Sequence, residues 1–295
     1  MTDSATDPVA ELLSILDLEK IEENIFRGVG PNVGWQRVYG GLVVAQSLVA
    51  AERTVEGRAP HSMHCYFLLG GDPTAPIVYE VERVRDGRSF TTRRVLAIQH
   101  GRPIFSMSAS FHVEEEGLEH AFAIPEAPDP DSLPSQRELA ERFGALMPEN
   151  VRRYLTRPRP FELRPVDLTR YLGGGERRPE QKVWLRALGP LPESQATHRA
   201  ILAYLSDLTL LDTALVAHGR SIFSNAIQAA SLDHAIWFHR PIKADEWMLY
   251  VQDSPFTGGA RGLTRGQIFS REGSLLASFA QEGLIRLRKA DSPKD

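Results

Sequence analysis

Cysteine is almost absent from this chain of 295 residues, in which Cys65 is the only one. A single cysteine excludes an internal disulfide and a metal site built from several cysteines, and it is typical of a reducing compartment. No run of Lys and Arg stands out and the formal net charge is only −4, which argues against a nucleic acid as partner. Apolar runs of about 20 residues are also lacking, so we expect no membrane span.

Targeting signals and several enzyme motifs are lacking as well. The first residues, MTDSATDPVAELL, have no basic start, and the final Ser-Pro-Lys-Asp is not a peroxisomal address, so we expect a cytoplasmic protein. There is no Gly-x-Ser-x-Gly for a hydrolase serine and no P-loop. The glycines of GVGPNVG at 28–34 have the wrong spacing for a dinucleotide site.

The chain does contain an internal repeat. Residues 89–111 read SFTTRRVLAIQHGRPIFSMSASF, and residues 260–279 read ARGLTRGQIFSREGSLLASF. Both have alternating polar and apolar residues, a tight turn with one glycine and a second strand that ends in Ala-Ser-Phe. Two copies of one supersecondary unit predict a duplicated module whose copies pack together.

Each copy follows a predicted helix that is mostly apolar. The first copy has a helix at 42–51 and strands at 61–68, 77–85, 89–100 and 103–113. The second has a helix at 197–216 and strands at 232–239, 246–253, 260–270 and 274–288. A long buried helix followed by about four antiparallel strands is typical of the hot-dog fold. We therefore predict an α+β double hot dog, with two antiparallel sheets that each wrap a long central helix.

The repeat also predicts the domain organisation. An N-terminal hot-dog unit is expected at residues 1–115 and a C-terminal unit at 161–290. The segment between them, 116–160, is rich in proline and charge and is predicted to be a linker with one or two surface helices. Within it, Ser135-Gln-Arg-Glu138 is a capping box that predicts a helix towards Leu146.

Three polar residues interrupt apolar segments of the second unit. Asp207 lies in LAYLSDLTLL, where a carboxylate costs several kcal/mol unless it is hydrogen-bonded or paired, although a helix break would also explain it. Ser231 precedes an aromatic strand, where a serine is usually a turn residue. Gln281 interrupts ASFAQEGLIRLR, where a lone glutamine usually faces solvent. The residues alone leave both interpretations open.

Seven segments together resemble the acyl-CoA thioesterase II family. They are VYGGLVVAQSL, HSMHCYFL and RDGRSF in the first unit, and LAYLSD, SLDHAIWFHRP, ARGLTRGQIF and ASFAQEG in the second. They occur in the order of the family and cover nearly the whole chain except the linker and the termini. The resemblance implies a double hot-dog fold, hydrolysis of acyl-CoA to free acid and CoA, and no metal or organic cofactor.

The same resemblance implies an active-site trio of Asp207, Ser231 and Gln281 that holds and polarises one water. Ser231 stands where many members of the family have Thr, so the hydroxyl is kept. LLGGD at 68–72 departs from the common Arg-Pro-Gly-Asp form, which concerns the shape of that turn. Burial would have to raise the pKa of Asp207 from about 3.9 to make it an effective base. N–H groups near the start of the buried helix are candidates to stabilise the carbonyl oxygen.

Candidate substrate-binding residues lie mostly in the first unit. Its helix region has no acid to match Asp207, so we expect catalysis from one half, with the other half shaping the acyl pocket or the CoA groove. The residues that face this position are Gly40, Gly41 and Gln46. Candidates for the CoA phosphates are Arg85, Arg88, Arg93 and Arg261.

Two other functions are compatible with a hot-dog fold. A hot-dog enoyl-CoA hydratase is the enzymatic alternative, although the Asp-x-Asn-Pro-x-His stretch of such enzymes is missing. A non-catalytic acyl-CoA binding protein is the other, but it would not need a trio that activates water. The histidines, among them His61, His64, His218, His234 and His239, are predicted to be packed rather than metal-bound. A homodimer or homotetramer is expected, because hot-dog sheets commonly pair.

Overall fold

The computed structural model describes residues 7–31, 36–146, 149–167 and 177–288. Its helices are α1 (Pro8–Leu16), α2 (Gly40–Glu52), α3 (Gln136–Phe143), α4 (Glu149–Thr156), α5 (Gln195–Ser206) and α6 (Thr213–Val216). Its strands are β1 (Glu19–Glu22), β2 (Ile25–Gly28), β3 (Ala59–Phe67), β4 (Ile77–Asp86), β5 (Phe90–Gln99), β6 (Arg102–His112), β7 (Phe161–Pro165), β8 (Glu180–Ala187), β9 (Ile227–Ser231), β10 (Asp233–Phe238), β11 (Met248–Gly258), β12 (Arg261–Ser270) and β13 (Leu275–Leu287). The predicted unit ends at residues 1 and 290 lie outside the described residues.

The thirteen described strands form one antiparallel sheet. Its path is β1-β2-β4-β5-β6-β3-β10-β13-β12-β11-β8-β7, and β9 pairs with β13. Strands from the first half of the chain lie on one side of the β3–β10 junction, where Met63 pairs with Ile236, and strands from the second half lie on the other. We expected two sheets. They are continuous because β3 and β10 would each be an unpaired edge in its own half, and each satisfies the other's backbone groups.

The repeated segments form matching hairpins, β5 with β6 and β12 with β13. Thr91 pairs with Phe111 in the first, and Gly266 pairs with Phe279 in the second. Buried and more exposed residues alternate along these strands, as a period of two requires when one face of a sheet packs on a core. The hairpins predicted from the repeat are therefore confirmed.

Helix α2 is buried on nearly every side, as its apolar sequence predicts. It contacts β4, β5 and β6 as well as α5, and Leu42, Val44 and Leu48 are at most 1% exposed. A helix that is apolar all round needs such partners, because no face of it can be left in water. In the described part of the chain, no helix is long and apolar enough to cross a membrane.

The predicted helix at 197–216 is wrong in one respect, because it is interrupted after Ser206. Asp207 is the C-cap of α5, and α6 begins only after a turn. Glutamine side chains satisfy the backbone and side chain of this turn: Gln181 Nε2 donates to the Thr209 carbonyl (2.8 Å), and Gln252 Nε2 donates to Thr209 Oγ1 (2.6 Å). The break places a carboxylate at the end of a buried helix rather than within it.

An ion pair joins the two buried helices at the end of α2. Arg199 of α5 lies 2.7 Å from Glu52, the last residue of α2, and both side chains are largely buried. Burial raises the pKa of Glu52 to about 7, and the guanidinium of Arg199 opposes that rise. Because the folded-state pKa is above the usual value, Glu52 contributes less to stability as the pH rises from about 4.5 to about 7.

We expect Arg199→Met to lower the free energy of unfolding by about 3 kcal/mol at pH 8, because it leaves a buried carboxylate without its partner. The loss should be smaller at pH 5, where Glu52 can take up a proton. Urea titrations at the two pH values measure both effects. The double variant Glu52→Gln with Arg199→Met is the control and should regain most of the loss. An equal loss at both pH values, unchanged in the double variant, would contradict this account.

Candidate active site

Three polar side chains from three separate elements meet at the end of α5. Asp207 follows the last residue of that helix, Ser231 is the last residue of β9, and Gln281 lies in the middle of β13. The β9–β13 register pairs Ser231 with Gly283, two residues beyond Gln281, so both side chains are brought to the same face. The three residues named from the sequence are thus in direct contact.

Hydrogen bonds within this group converge on the carboxylate. The Ser231 hydroxyl donates to Asp207 Oδ1 (3.0 Å), and Gln281 Nε2 donates to the same oxygen (2.6 Å) and to Ser231 Oγ (2.9 Å). Both amide hydrogens of Gln281 are therefore used. Its Oε1 is buried and has no hydrogen-bond partner among the described residues, so it can accept a hydrogen bond from a bound molecule.

The alternation of β13 explains why Gln281 faces inward. Phe279, Gln281, Gly283 and Ile285 are buried, whereas the residues between them are partly exposed. Gln281 is fully buried, which differs from the solvent-facing position usual for a lone glutamine. The signal was available in the sequence, because Gln281 has the same parity as the apolar Phe279 and Ile285.

The start of α2, from the first half of the chain, completes the site. The Gly41 N–H donates to the Asp207 carboxylate, and a Cβ added to Gly40 would lie 2.6 Å from Asp207 Oδ2. Tyr39, the N-cap of α2, makes no side-chain capping bond, and the Leu42 N–H donates to the Tyr39 carbonyl, so the Gly41 N–H is satisfied by a residue of the second half. Tyr39, which the sequence did not single out, holds this approach: its hydroxyl donates to the Tyr204 carbonyl in α5 (2.8 Å).

Burial dominates the electrostatics of Asp207. Desolvation raises the pKa of this carboxyl to about 6, although the hydrogen bonds from Gln281, Ser231 and Gly41 each favour the charged form. A carboxyl with a pKa near 6 is ionised at neutral pH and still binds a proton readily, which is the property of a general base.

Gln46 is fully used within the first half of the chain. Its Nε2 donates to the carbonyls of Ile15 (2.7 Å) and Val29 (3.0 Å), and its Oε1 accepts from the Tyr79 hydroxyl (2.6 Å). The side chain is completely buried. It joins α1 and the end of β2 to α2 and has no hydrogen-bonding group left for a substrate, contrary to the role expected from the sequence.

Arg93 is likewise part of the core rather than of a surface groove. The side chain is 1% exposed. Its guanidinium donates to Thr54 Oγ1 (2.9 Å), to the Thr54 carbonyl (3.1 Å) and to Asp86 Oδ1 (2.7 Å), and it also bonds the carbonyls of Arg85 and Thr92. A guanidinium enclosed in this way cannot reach the phosphates of CoA, so this expectation is not met.

The other three arginines are exposed but lie at different ends of the sheet. Arg85 and Arg88 lie at the β4–β5 turn. Phe67 marks the level of the site, because a Cβ on Gly40 would contact both its ring and Asp207. In the strand register, Phe67 is level with Ala97 of β5. Seven residues of β5 separate Ala97 from Phe90 beside the turn, roughly 23 Å at 3.3 Å per residue. Of the candidate arginines, Arg261 is at the level nearest to the trio along the strands, but its side chain lies on the outer face of the sheet with Glu282, opposite to Gln281.

Arg261 begins β12 at the end of the sheet that carries the trio. Thr264, three residues further along, pairs with Gln281, which places Arg261 roughly 10 Å from that level. The Arg261 side chain is about half exposed and bonds Glu282 (3.0 Å). An exposed guanidinium held by one carboxylate retains donors for an anion.

Sequence comparisons match both halves of the chain to acyl-CoA thioesterases. The family model for acyl-CoA thioesterase matches residues 152–284, and the model for the acyl-CoA thioesterase N-terminal domain matches residues 30–112. Acyl-CoA thioesterase 2 of Haemophilus influenzae is 39% identical over 282 residues, which cover 95% of this chain and 99% of that protein.

Solved structures agree with the sequence comparisons. The acyl-CoA thioesterase II TesB2 of Mycobacterium marinum is 45% identical, with a TM-score of 0.78 over 94% of this chain and 99% of that one. A protein with a hot-dog fold from Alicyclobacillus acidocaldarius shares the fold at 20% identity, with a TM-score of 0.75 over 94% of this chain and 98% of that one. The chain has a hot-dog fold and belongs to the acyl-CoA thioesterase family, as the resemblance of its motifs predicted.

Proposed function

We propose that this thioesterase hydrolyses acyl-CoA with a water molecule held by Asp207, Ser231 and Gln281. One observation carries the proposal. Ser231 of β9 and Gln281 of β13 are hydrogen-bonded to the carboxylate of Asp207 at the end of α5, and burial raises the pKa of that carboxylate to about 6. No covalent nucleophile is needed, because a thioester carbonyl is electrophilic enough for an activated water.

The reaction requires one proton to move in and out of Asp207. The carboxylate accepts a proton from the water while the water oxygen bonds to the thioester carbon. The tetrahedral intermediate then collapses with cleavage of the C–S bond, and Asp207 returns the proton to the CoA sulfur. Its pKa of about 6 suits both directions of transfer. N–H groups at the start of α2 that have no partner among the described residues are the proposed donors to the carbonyl oxygen.

Ser231 and Gln281 orient the water and the carboxylate. The Ser231 hydroxyl donates to Asp207 and accepts from Gln281, so its oxygen has one lone pair left for a water hydrogen. The buried Oε1 of Gln281 provides a further acceptor for the water. When the site holds the water beside the thioester carbon, the attack takes place within one complex and needs no collision between separate molecules. This is a proximity effect.

We also propose that the chain is a double hot dog in which the two halves share the active site. Two units are expected, at 1–115 and 161–290, with the linker 116–160 between them. Each unit would supply one buried helix. The contact of Gly40 and Gly41 with Asp207 supports this arrangement, because it joins the start of one helix to the end of the other. The first half would therefore contribute backbone donors although it has no matching acid.

Arg261 is the proposed contact for the CoA phosphates. It is exposed and lies at the same end of the sheet as the trio, although on the outer face, and this position favours it over Arg85 and Arg88 at the opposite end. A homodimer or homotetramer, a cytoplasmic location and catalysis without a cofactor stay predictions from the sequence.

Release of free CoA thiol from a panel of acyl-CoAs tests the proposed reaction. Thiol should appear in step with free acid for at least one chain length. An enoyl-CoA hydratase would hydrate the double bond and leave the thioester intact, and a binding protein would bind acyl-CoA without releasing thiol. Either result would replace hydrolysis by the corresponding alternative.

The pH dependence of kcat/KM should report Asp207. Because the base must be ionised, kcat/KM is expected to be level above about pH 7 and to fall about tenfold per unit below pH 6, following a pKa of about 6. Initial rates from pH 4.5 to 8.5, on enzyme checked for folding at each pH, measure this. A fall centred near pH 4 would mean that the ionising group lies in an ordinary solvated environment.

A further inference from the structure

We infer that Tyr250 and His234 are positioning residues for Asp207 and act through the residue before it, Ser206; this rests on the proposed role of Asp207. The Tyr250 hydroxyl donates to the Ser206 backbone carbonyl (2.9 Å). His234 Nε2 lies 2.7 Å from Ser206 Oγ, and that hydroxyl in turn donates to the Ala203 carbonyl (2.8 Å).

The contact with the Ser206 carbonyl fixes the peptide that leads into Asp207. Ser206 is the last residue of α5, and the final carbonyls of a helix have no partner within it. Its carbonyl and the Asp207 nitrogen belong to one planar peptide group. A hydrogen bond that holds this plane therefore also sets the direction in which the Asp207 side chain leaves the backbone.

Tyr250 and His234 are 0% and 1% exposed, and their hydrogen bonds are made to Ser206 and not to a member of the trio. When the Ser206 hydroxyl donates to the Ala203 carbonyl, His234 donates to Ser206 Oγ from Nε2. Its Nδ1 is buried without a partner among the described residues, which fits the neutral ring with Nδ1 unprotonated. Burial supports this form, because it lowers the pKa of His234 to about 3. Two buried donors thus hold the side chain and the carbonyl of Ser206 from different strands, β10 and β11.

The charge of Asp207 also affects the pKa of Tyr250. Burial, and the Asp207 carboxylate after it, raise the pKa of the Tyr250 phenol well above its usual value. The phenol therefore keeps its proton and stays a donor throughout the working pH range. Its hydroxyl is then a permanent part of the support for Asp207.

Tyr79 provides a matched control within the same chain. It is the third residue of β4, as Tyr250 is of β11, and both rings are fully buried. The Tyr79 hydroxyl donates to Gln46 Oε1 (2.6 Å) in the first half, and not to the end of α5. Replacing either tyrosine with Phe removes one buried hydroxyl, so loss of stability alone would affect both variants alike.

The experiment compares kcat, KM and the urea midpoint of Tyr250→Phe, Tyr79→Phe and Asp207→Asn, using one acyl-CoA. Tyr250→Phe should lower kcat by about tenfold or more and change KM by less than about twofold, because a small displacement of the base affects the chemical step and not binding. Tyr79→Phe should show a similar midpoint shift with kcat within about twofold of wild type. Equal kcat values in the two Phe variants would overturn the inference.

A second pair of variants keeps the test decisive if Tyr250→Phe does not fold. His234→Gln retains an N–H donor and should keep kcat within about threefold, whereas His234→Leu should lose about tenfold or more. Equal kcat values for this pair would also overturn the inference. Full activity in Asp207→Asn would instead reject the proposed base itself, so the two failures are distinguishable.

Discussion

Asp207→Asn is expected to lower kcat for thioester hydrolysis by about 10²–10⁴-fold, the range that a positioned general base contributes. The substitution keeps the size of the side chain and an oxygen that can accept from Ser231 and Gln281. What is lost is the ability to take a proton from water at neutral pH. Steady-state thiol release with a saturating acyl-CoA measures the effect.

The same variant should be more stable than the wild type. Burial raises the Asp207 pKa from 3.8 to about 6, so the folded state binds the proton more tightly than the unfolded state does. Stability from this group is present below pH 4 and is lost as the pH rises through 6, which costs up to about 3 kcal/mol at pH 8. Asp207→Asn removes that cost, and urea titration at pH 8 should show a higher midpoint.

Asp253→Asn is the control for the loss of one carboxylate. Asp253 lies in β11, is partly exposed and bonds Arg265 on the surface. The variant should keep full activity and show little change in stability, because an exposed ion pair contributes at most about 1 kcal/mol. If Asp207→Asn retained activity, or if both variants lost it equally, Asp207 would not be the base.

Gly40→Ala is expected to lower kcat by about 10²-fold, the cost of a misplacement of about 1 Å. The new Cβ would lie 2.6 Å from Asp207 Oδ2 and 2.9 Å from Phe67 Cε1, closer than such atoms can pack, so the carboxylate must shift. The helix itself should not suffer, because alanine is a better helix former than glycine. Activity should therefore fall while the urea midpoint stays level or rises.

Gly30→Ala is the matched control near the same helix. A Cβ there would meet Leu42 Cδ2 at 3.4 Å, which is ordinary contact, and no other neighbour lies within 4 Å. This variant should keep wild-type kcat. Full activity in Gly40→Ala would mean that the start of α2 does not press on Asp207 and that the two halves do not share the site.

The hairpins could be predicted because they leave a local signal: the period of two in ASFAQEG and SMSASF fixes which residues face the core. The trio was implied by the resemblance to the family. From the residues alone, an acid in the apolar segment LAYLSDLTLL indicated only that Asp207 needs a partner or a helix break. The capping box at Ser135 and Glu138 was confirmed because it is also a local signal, since both of its hydrogen bonds lie within four residues.

Features that depend on contacts between distant segments could not be predicted. The pairing of β3 with β10, the approach of Gly40 to Asp207 and the enclosure of Arg93 by Thr54 all join residues far apart in the chain or depend on side-chain direction. The residues around Arg93 in the sequence do not distinguish it from an exposed arginine. Only the packed structure separates a core guanidinium from one that can meet a phosphate.

A crystal structure of the Asp207→Asn protein with an uncleaved acyl-CoA bound tests the central claim most directly. The account predicts that the thioester carbon lies beside position 207 and the start of α2, with a water about 3–3.5 Å from that carbon and hydrogen-bonded to Ser231 or Gln281. A thioester bound elsewhere, for example at the far end of the sheet near Arg85, would contradict it.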